Sequence, residues 1–145
     1  MQKITPFLWF DNNLEEAINF YSTVFTNAKI SNINPMSATF ELEGQQFMAL
    51  NGGPHFKFNE AVSFFVNVET QEEVDYYWNK LTADGGSEGR CGWLKDKFGL
   101  SWQIIPSILG KLMGDRDPVK SKKVVDAMLK MNKIDVKELQ QAYAS

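Results

Sequence analysis

Residues 61–73 read AVSFFVNVETQEE, and this stretch places a strand directly before a helix. The segment Ala61–Val68 is rich in β-branched and aromatic residues, which favours an extended strand. Thr70 precedes Glu73 by three residues, the spacing of a capping box at a helix start. The helix that follows has an apolar face formed by Val74, Tyr77, Trp78 and Leu81. The segment therefore predicts a strand that leads into an amphipathic helix.

Three short strands are predicted after this helix. Asp84-Gly85-Gly86 ends the helix, because glycine readily adopts the backbone conformation found at helix C-termini. Lys97-Phe98-Gly99 forms the last turn, and Pro106 ends the last strand. The strand candidates are 87–91, 92–97 and 100–105. The order of elements in this segment is βαβββ.

The same order occurs in the first half of the chain. A strand at 3–10 leads through the turn and cap residues Asp11-Asn12-Asn13 into a helix that starts at Leu14. Asn51-Gly52-Gly53-Pro54 then separates the two halves. The remaining strand candidates are 28–33, 37–43 and 46–50. This repetition indicates an α+β fold made from two βαβββ modules.

The modules and the tail divide the chain into three parts. The first module takes residues 1–52, the second takes 53–106, and 107–145 form a helical tail. Each module exposes a sheet face that it cannot cover alone, so we expect a single domain over residues 1–145.

The tail is predicted to contain two helices, Lys120–Met131 and Val136–Tyr143. Asp117 and Asp135 are the expected N-caps. The apolar positions of the tail need a surface to cover them. Either the sheet of the same chain or a second subunit would supply it.

Composition and charge exclude several classes of protein. The net charge is −3, so the chain lacks the positive field that neutralises nucleic-acid phosphates. No apolar run approaches the ~20 residues of a membrane span, and the first residues lack the apolar core of a signal sequence. The single cysteine, Cys91, cannot form an internal disulfide, which fits a reducing compartment. We therefore predict a cytoplasmic protein that binds neither nucleic acid nor membrane.

Four stretches carry a family likeness: Phe20-Tyr21, NGGPHFKFNEAVSF at 51–64, CGWLKDKFGLSWQIIP at 91–106 and VVDAMLKMNKID at 124–135. Together they resemble the PhnB-like branch of the glyoxalase, bleomycin-resistance and dioxygenase superfamily, also called vicinal-oxygen-chelate proteins. The resemblance implies a glyoxalase-like curved sheet and a homodimer. Members of this branch are commonly labelled demethylubiquinone methyltransferase-like domains. The chain has no glycine-rich loop between the strand and helix of a parallel α/β unit, the signature expected for S-adenosylmethionine.

The resemblance also bears on metal chemistry. Metal-dependent members of the superfamily place His or Glu on inward strand positions of both modules. The matching positions here are Pro6 in the first strand, Ser63 in the fifth and Gln103 in the eighth. The fourth strand, at 46–50, offers no His, Asp or Glu. We therefore predict neither a metal nor another cofactor.

Aromatic and polar residues on the predicted strands are the candidates for binding a small molecule. Ser101, Gln103 and Ile105 share one face of the last strand, and a buried polar pair there needs a hydrogen-bond partner such as a ligand or water. The rings that either wall a pocket or fill the core include Phe7, Trp9, Phe65 and Trp93. By contrast, Lys95-Asp96-Lys97 is predicted to be a solvated charge cluster.

Two residues carry reactive groups, and both are candidates for binding a ligand or for catalysis. His55, the only histidine, is either a pocket-edge acid, base or ligand contact, or a loop imidazole. Cys91 is either a thiol nucleophile or a small buried apolar residue, and the adjacent Gly92 would allow another backbone or a ligand to approach closely. The sequence supplies no evident acid or base partner for either residue, which favours the structural interpretation.

The sequence predicts a small-molecule-binding protein of the glyoxalase-like type. Two alternatives stay open at this point. One is an enzyme of the same fold, either a metal-dependent lyase or dioxygenase or the labelled methyltransferase. The other is a dimeric interaction module. Fold alone does not choose among them.

Overall fold

A computed structural model describes residues 2–145, which separate at Phe58 into two units. In the first unit the strand order is β1-β4-β3-β2, with β1 and β4 parallel and the other pairs antiparallel. Its elements are β1 (Phe7–Phe10), α1 (Leu14–Val24), β2 (Ala28–Ile33), β3 (Ser37–Leu42) and β4 (Gln45–Asn51). The first strand therefore begins at Phe7, later than the predicted residue 3.

Alternation along the strands gives this sheet a covered face. In β3, Ala38, Phe40 and Leu42 are buried, while the residues between them are half-buried. Helix α1 packs on β3 and buries an apolar stripe. The stripe consists of Leu14, Ala17, Ile18, Tyr21 and Val24.

The second unit, Asn59–Ser145, repeats the βαβββ order and adds the tail. Its sheet has the order β5-β8-β7-β6, again with one parallel pair, β5 and β8. The elements are β5 (Ser63–Val68), α2 (Gln71–Thr82), β6 (Ser87–Glu88), β7 (Trp93–Lys95) and β8 (Ser101–Pro106). Thr70 caps α2 as predicted, because its hydroxyl accepts a hydrogen bond from the Glu73 amide. That the two units form one domain stays a prediction.

The tail packs within the second unit. It contains α3 (Ser107–Met113), α4 (Pro118–Met128) and α5 (Val136–Ala144), of which α3 was not predicted. Asp117 and Asp135 are the N-caps of α4 and α5, as expected. The tail helices bury a cluster of Ile105, Leu109, Val124, Met131, Ile134 and Leu139. The tail helices therefore cover most of one another's apolar surface, and Ile105 of β8 joins the same cluster. Within residues 2–145, no helix is long and apolar enough to cross a membrane.

The prediction of a solvated charge cluster at Lys95-Asp96-Lys97 is wrong for its central residue, Asp96. Asp96 is only 2% exposed. Its carboxylate accepts hydrogen bonds from the Phe98 amide at 2.8 Å, the Leu100 amide at 3.1 Å and the Trp102 indole at 2.9 Å. The side chain turns inward because it closes the β7–β8 hairpin and supplies the buried indole with an acceptor.

Candidate functional site

Strand pairing in the second sheet aligns two rows of side chains on one face. Ser63, Ser101, Lys95 and Ser87 lie opposite one another across β5, β8, β7 and β6, and we call them the polar row. Phe65, Gln103 and Trp93 form the neighbouring aromatic row. Directly paired residues point to the same face, so both rows share a surface. On the other face, Leu94, Trp102 and Ile104 are buried in the core, and α2 contacts both β7 and β8.

Ser101 is a buried polar residue of this surface whose side chain has no partner among residues 2–145. It is 1% exposed, and its Oγ has no hydrogen-bond partner among residues 2–145. A buried polar group left unpaired costs about 1–3 kcal/mol. Gln103, in contrast, donates a hydrogen bond from Nε2 to the Ser63 hydroxyl at 3.0 Å. The sequence predicts that Ser101 and Gln103 both need a hydrogen-bond partner. Of these two residues, only Ser101 is left without one in the structure.

A cleft of about 220 Å³ lies at Ser101, and we call it the β7 cleft. It is lined by Glu60, Ser87, Glu88, Gly89, Trp93, Leu94, Lys95 and Ser101. The volume lies below the range of about 300–1,000 Å³ that drug-sized ligands occupy, so it suits a fragment-sized molecule or one end of a larger one. The half-buried Trp93 supplies its aromatic wall.

An ion pair stands beside the Ser101 hydroxyl in this cleft. The Lys95 ammonium contacts the Glu60 carboxylate, and both side chains are partly exposed. The hydrogen bond from Lys95 lowers the pKa of the Glu60 carboxyl below its ordinary value, so this carboxyl is ionised at neutral pH. Nothing in the sequence signals this pairing, because thirty-five positions separate the two residues.

Phe65 and Ile105 are both neighbours of Gln103 on this face. Phe65 lies opposite it on β5, and Ile105 lies two residues further along β8. Phe65 is 59% exposed, an unusual position for a ring of its size. Ile105, the next residue of β8 on the Gln103 face, is buried in the cluster formed with the tail helices. The tail therefore borders the aromatic row on the side away from the polar row.

The aromatic candidates of the first unit differ from one another in their surroundings. Phe7 is 53% exposed on β1. Trp9 is fixed, because its indole N–H donates to the Gly53 carbonyl at 2.9 Å. Its ring lies so close to Gly52 that a Cβ there would come within 2.2 Å of it. Phe56 meets the same ring edge-on, with 4.9 Å between ring centroids. Trp9 therefore anchors the loop that follows β4.

His55 and Cys91 lie in ordinary surroundings. His55 is exposed on the loop of the first unit. Cys91 and Gly92 donate their backbone N–H groups to the Met131 and Asn132 carbonyls, which joins this loop to the tail. Among the described residues, neither reactive side chain has a hydrogen-bonded acid or base. The close approach expected at Gly92 is made by the protein itself, since a Cβ there would lie 3.0 Å from the Ile104 carbonyl oxygen.

The residues at the metal-ligand positions do not fit a divalent ion. Ser63 and Gln103 are neutral and hydrogen-bonded to each other. Pro6 has no side-chain donor atom. Within residues 2–145, no three His, Cys, Asp or Glu side chains come together in a group that could hold a metal ion. Divalent metals that act as Lewis acids are held by imidazole or carboxylate ligands, and Pro6, Ser63 and Gln103 supply neither.

A second cleft of about 280 Å³ lies at the start of α1. Asn51, from the end of β4, supplies the side-chain cap that was expected from Asp11-Asn12-Asn13, because its Oδ1 accepts a hydrogen bond from the Leu14 amide at 3.0 Å. The Asn51 amide in turn donates to the Pro35 carbonyl at 2.9 Å. The buried Asn13 Oδ1 has no partner among residues 2–145. This cleft therefore presents an acceptor, whereas the β7 cleft presents a hydroxyl beside an aromatic ring.

Comparisons with known proteins agree with this architecture. The family described as 3-demethylubiquinone-9 3-methyltransferase matches residues 2–105. A PhnB protein from Bacillus cereus that bears the same methyltransferase name is 36% identical. That match covers 73% of this chain and 100% of that one, with a TM-score of 0.67. No curated protein matches the chain.

Two more distant structures show the fold alone. A glyoxalase-related enzyme from Fulvimarina pelagi is 18% identical, over 75% of this chain and 91% of that one, with a TM-score of 0.56. FosX, a fosfomycin resistance protein of Listeria monocytogenes solved with manganese(II) and sulfate, is 13% identical, over 73% and 90%, with a TM-score of 0.55. The chain thus belongs to the 3-demethylubiquinone-9 3-methyltransferase family, is similar to a PhnB protein, and has the α+β fold of glyoxalase-like structures.

Proposed function

We propose that this chain is a small-molecule-binding protein whose ligand lies in the β7 cleft, against the Trp93 ring and the Ser101 hydroxyl. The observation that carries the proposal is the buried Ser101 Oγ, which has no partner among residues 2–145. A ligand that exchanges a hydrogen bond with this hydroxyl removes its desolvation cost. Trp93 adds apolar contact area at the same place.

The chemistry of the site favours binding over the enzymatic alternatives. The strand positions that carry metal ligands in the superfamily hold residues that do not fit a metal. The family name refers to methyl transfer, but both sheets are mixed and no glycine-rich loop joins β1 to α1 or β5 to α2. Among residues 2–145, His55 and Cys91 have no hydrogen-bonded partner of the kind that activates a base or a nucleophile.

Native mass spectrometry with metal analysis of the purified protein tests this proposal. We expect a co-purifying or added fragment-sized molecule whose binding survives a chelator. Ser101→Val should abolish binding, because it removes the hydroxyl and narrows the cleft. Ser31→Val, on the exposed strand β2, is the matched control and should bind normally. The proposal fails if Ser101→Val and Trp93→Ala both retain the molecule, or if binding requires a stoichiometric metal.

We further propose that the protein acts as a homodimer in the cytoplasm. The family resemblance and the single unpaired cysteine support these two assignments. Sedimentation analysis at micromolar concentration should give about twice the 16.5 kDa mass of the chain. A clean monomer would contradict the dimer.

A further inference from the structure

The charged groups that face the β7 cleft neutralise each other. Lys95 belongs to the polar row, and its ammonium contacts the Glu60 carboxylate. Glu88 also borders the cleft, but it lies opposite Leu94, whose side chain is buried on the other face of the sheet. Alternation therefore directs the Glu88 carboxylate away from Lys95 and Ser101. On the side of the polar row, the cleft therefore presents the charges of Lys95 and Glu60, which are paired with each other.

The remaining recognition groups of the cleft are uncharged. The Ser101 hydroxyl can donate and accept a hydrogen bond, and Ser87 lies at the far end of the same row. Trp93 offers the face or edge of a large ring. A charged ligand would lose hydration without meeting an unpaired counter-charge, which is unfavourable in a partly enclosed site.

From this geometry we infer that the β7 cleft binds an uncharged aromatic molecule with a hydrogen-bonding oxygen or nitrogen. The inference rests on the proposed function and names the class of its ligand. The aromatic part stacks against Trp93, and the polar atom bonds to the Ser101 hydroxyl. The Lys95–Glu60 pair determines specificity, because it leaves neither charge free for a ligand.

Three probes that share one phenyl-alkyl body separate the charge classes at neutral pH. Phenethyl alcohol is neutral, phenethylamine is a cation and hydrocinnamate is an anion. Titrations followed by ligand NMR and by the Trp93 indole N–H resonance give the three dissociation constants. We expect the wild-type protein to bind the alcohol about threefold or more tightly than either charged probe, the scale of one exposed charge interaction.

Two substitutions should reverse this preference in opposite directions. Glu60→Gln leaves Lys95 unpaired, so hydrocinnamate should become the preferred probe. Lys95→Met leaves Glu60 unpaired, so phenethylamine should become preferred. Both side chains are partly exposed, so both variants should fold. Lys122→Met breaks the comparable surface pair with Asp126 on α4 and should leave the probe order unchanged.

The outcomes separate the ligand class from the proposed function. If a charged probe binds best to the wild-type protein at Trp93, or if neither substitution changes the order, the inference is wrong and the binding function stands. If none of the three probes shifts the Trp93 resonance at millimolar concentration, both the inference and the proposed cleft are wrong.

Discussion

The two units have the same strand order but use their aromatic residues differently. In each, an exposed phenylalanine on the edge strand pairs with the parallel central strand: Phe7 faces Met48, and Phe65 faces Gln103. In the first unit, Trp9 lies two residues after Phe7 on β1, and the loop after β4 fixes its ring. In the second unit, Trp93 borders a cleft that contains an unpaired hydroxyl.

The comparison indicates that the βαβββ module is a scaffold and that its function depends on side chains added to it. The first unit uses its aromatic residues to hold its own backbone. The second has a tail that buries Ile105 and fixes one end of the sheet face. This difference between the units is testable, because similar substitutions in the two units should change stability or binding by unequal amounts.

The largest expected difference concerns two glycines with nearly the same positive φ. A Cβ at Gly92 would lie 2.6 Å from Ile105 Cδ1 and 3.1 Å from Ile134 Cγ1, whereas nothing lies within 4 Å of one at Gly44. Gly92→Ala should lower the free energy of unfolding by about 4 kcal/mol, from backbone strain plus overpacking. Gly44→Ala should cost about 1 kcal/mol, from strain alone. Urea denaturation measures both, and equal losses would show that the tail does not constrain this loop.

The second difference concerns the turns of the two matching hairpins. Asp96→Ala leaves the Phe98 and Leu100 amides and the Trp102 indole without an acceptor, and should destabilise the protein by about 3 kcal/mol. Glu43, in the β3–β4 turn, accepts one exposed hydrogen bond from the Asn27 amide, so Glu43→Ala should cost under about 1 kcal/mol. Urea denaturation of both variants is the measurement. A loss of the same size in both would mean that burial adds nothing to the role of Asp96.

The third difference concerns two tryptophans. We expect Trp9 to contribute to stability and Trp93 to contribute to ligand binding. Trp9→Phe removes the hydrogen bond to the Gly53 carbonyl and should cost about 1 kcal/mol of stability. Trp93→Phe should leave the free energy of unfolding nearly unchanged but weaken the binding of phenethyl alcohol. Paired denaturation curves and NMR titrations measure both effects. A larger loss of stability for Trp93→Phe than for Trp9→Phe would mean that Trp93, rather than Trp9, is the tryptophan that stabilises the fold.

These differences show which parts of the fold the sequence can predict. Local signals predict the repeated βαβββ order and the caps at Thr70, Asp117 and Asp135, because each depends on neighbouring residues. Helix α3 is missed because it has seven residues, one of them Gly110, and no side-chain cap. Asp96 is misassigned because its main distant partner, Trp102, lies on the next strand.

The candidate site is only partly predictable for the same reason. Alternation within β8 correctly groups Ser101 with Gln103, since it requires no knowledge of other strands. The bond that satisfies Gln103 comes from Ser63, forty positions earlier. Finding which of the two polar residues stays unpaired therefore requires the strand register, and a single sequence does not contain it.

The smallest expected effect concerns the attachment of the tail, which only the second unit has. The Asp75 carboxylate accepts hydrogen bonds from Lys133 at 2.9 Å and from Gln71 at 3.0 Å, and the bond from Lys133 lowers its pKa. A carboxyl with a lowered pKa stabilises the folded state above its unfolded pKa of about 4, and this contribution is lost as pH falls through the folded pKa.

Both side chains of this pair are partly exposed, so the contribution of Asp75 should stay under about 1 kcal/mol. Between about pH 7 and about pH 3, the wild-type protein should lose slightly more stability than Asp75→Asn, which has no carboxyl to protonate at this position. Urea denaturation at both pH values measures the difference, and Asp126→Asn on α4 is the control that leaves the tail attachment intact. An identical pH dependence in all three proteins would mean that the Asp75–Lys133 pair does not hold the tail, and that the contrast between the units rests on packing and uncharged hydrogen bonds rather than on charge.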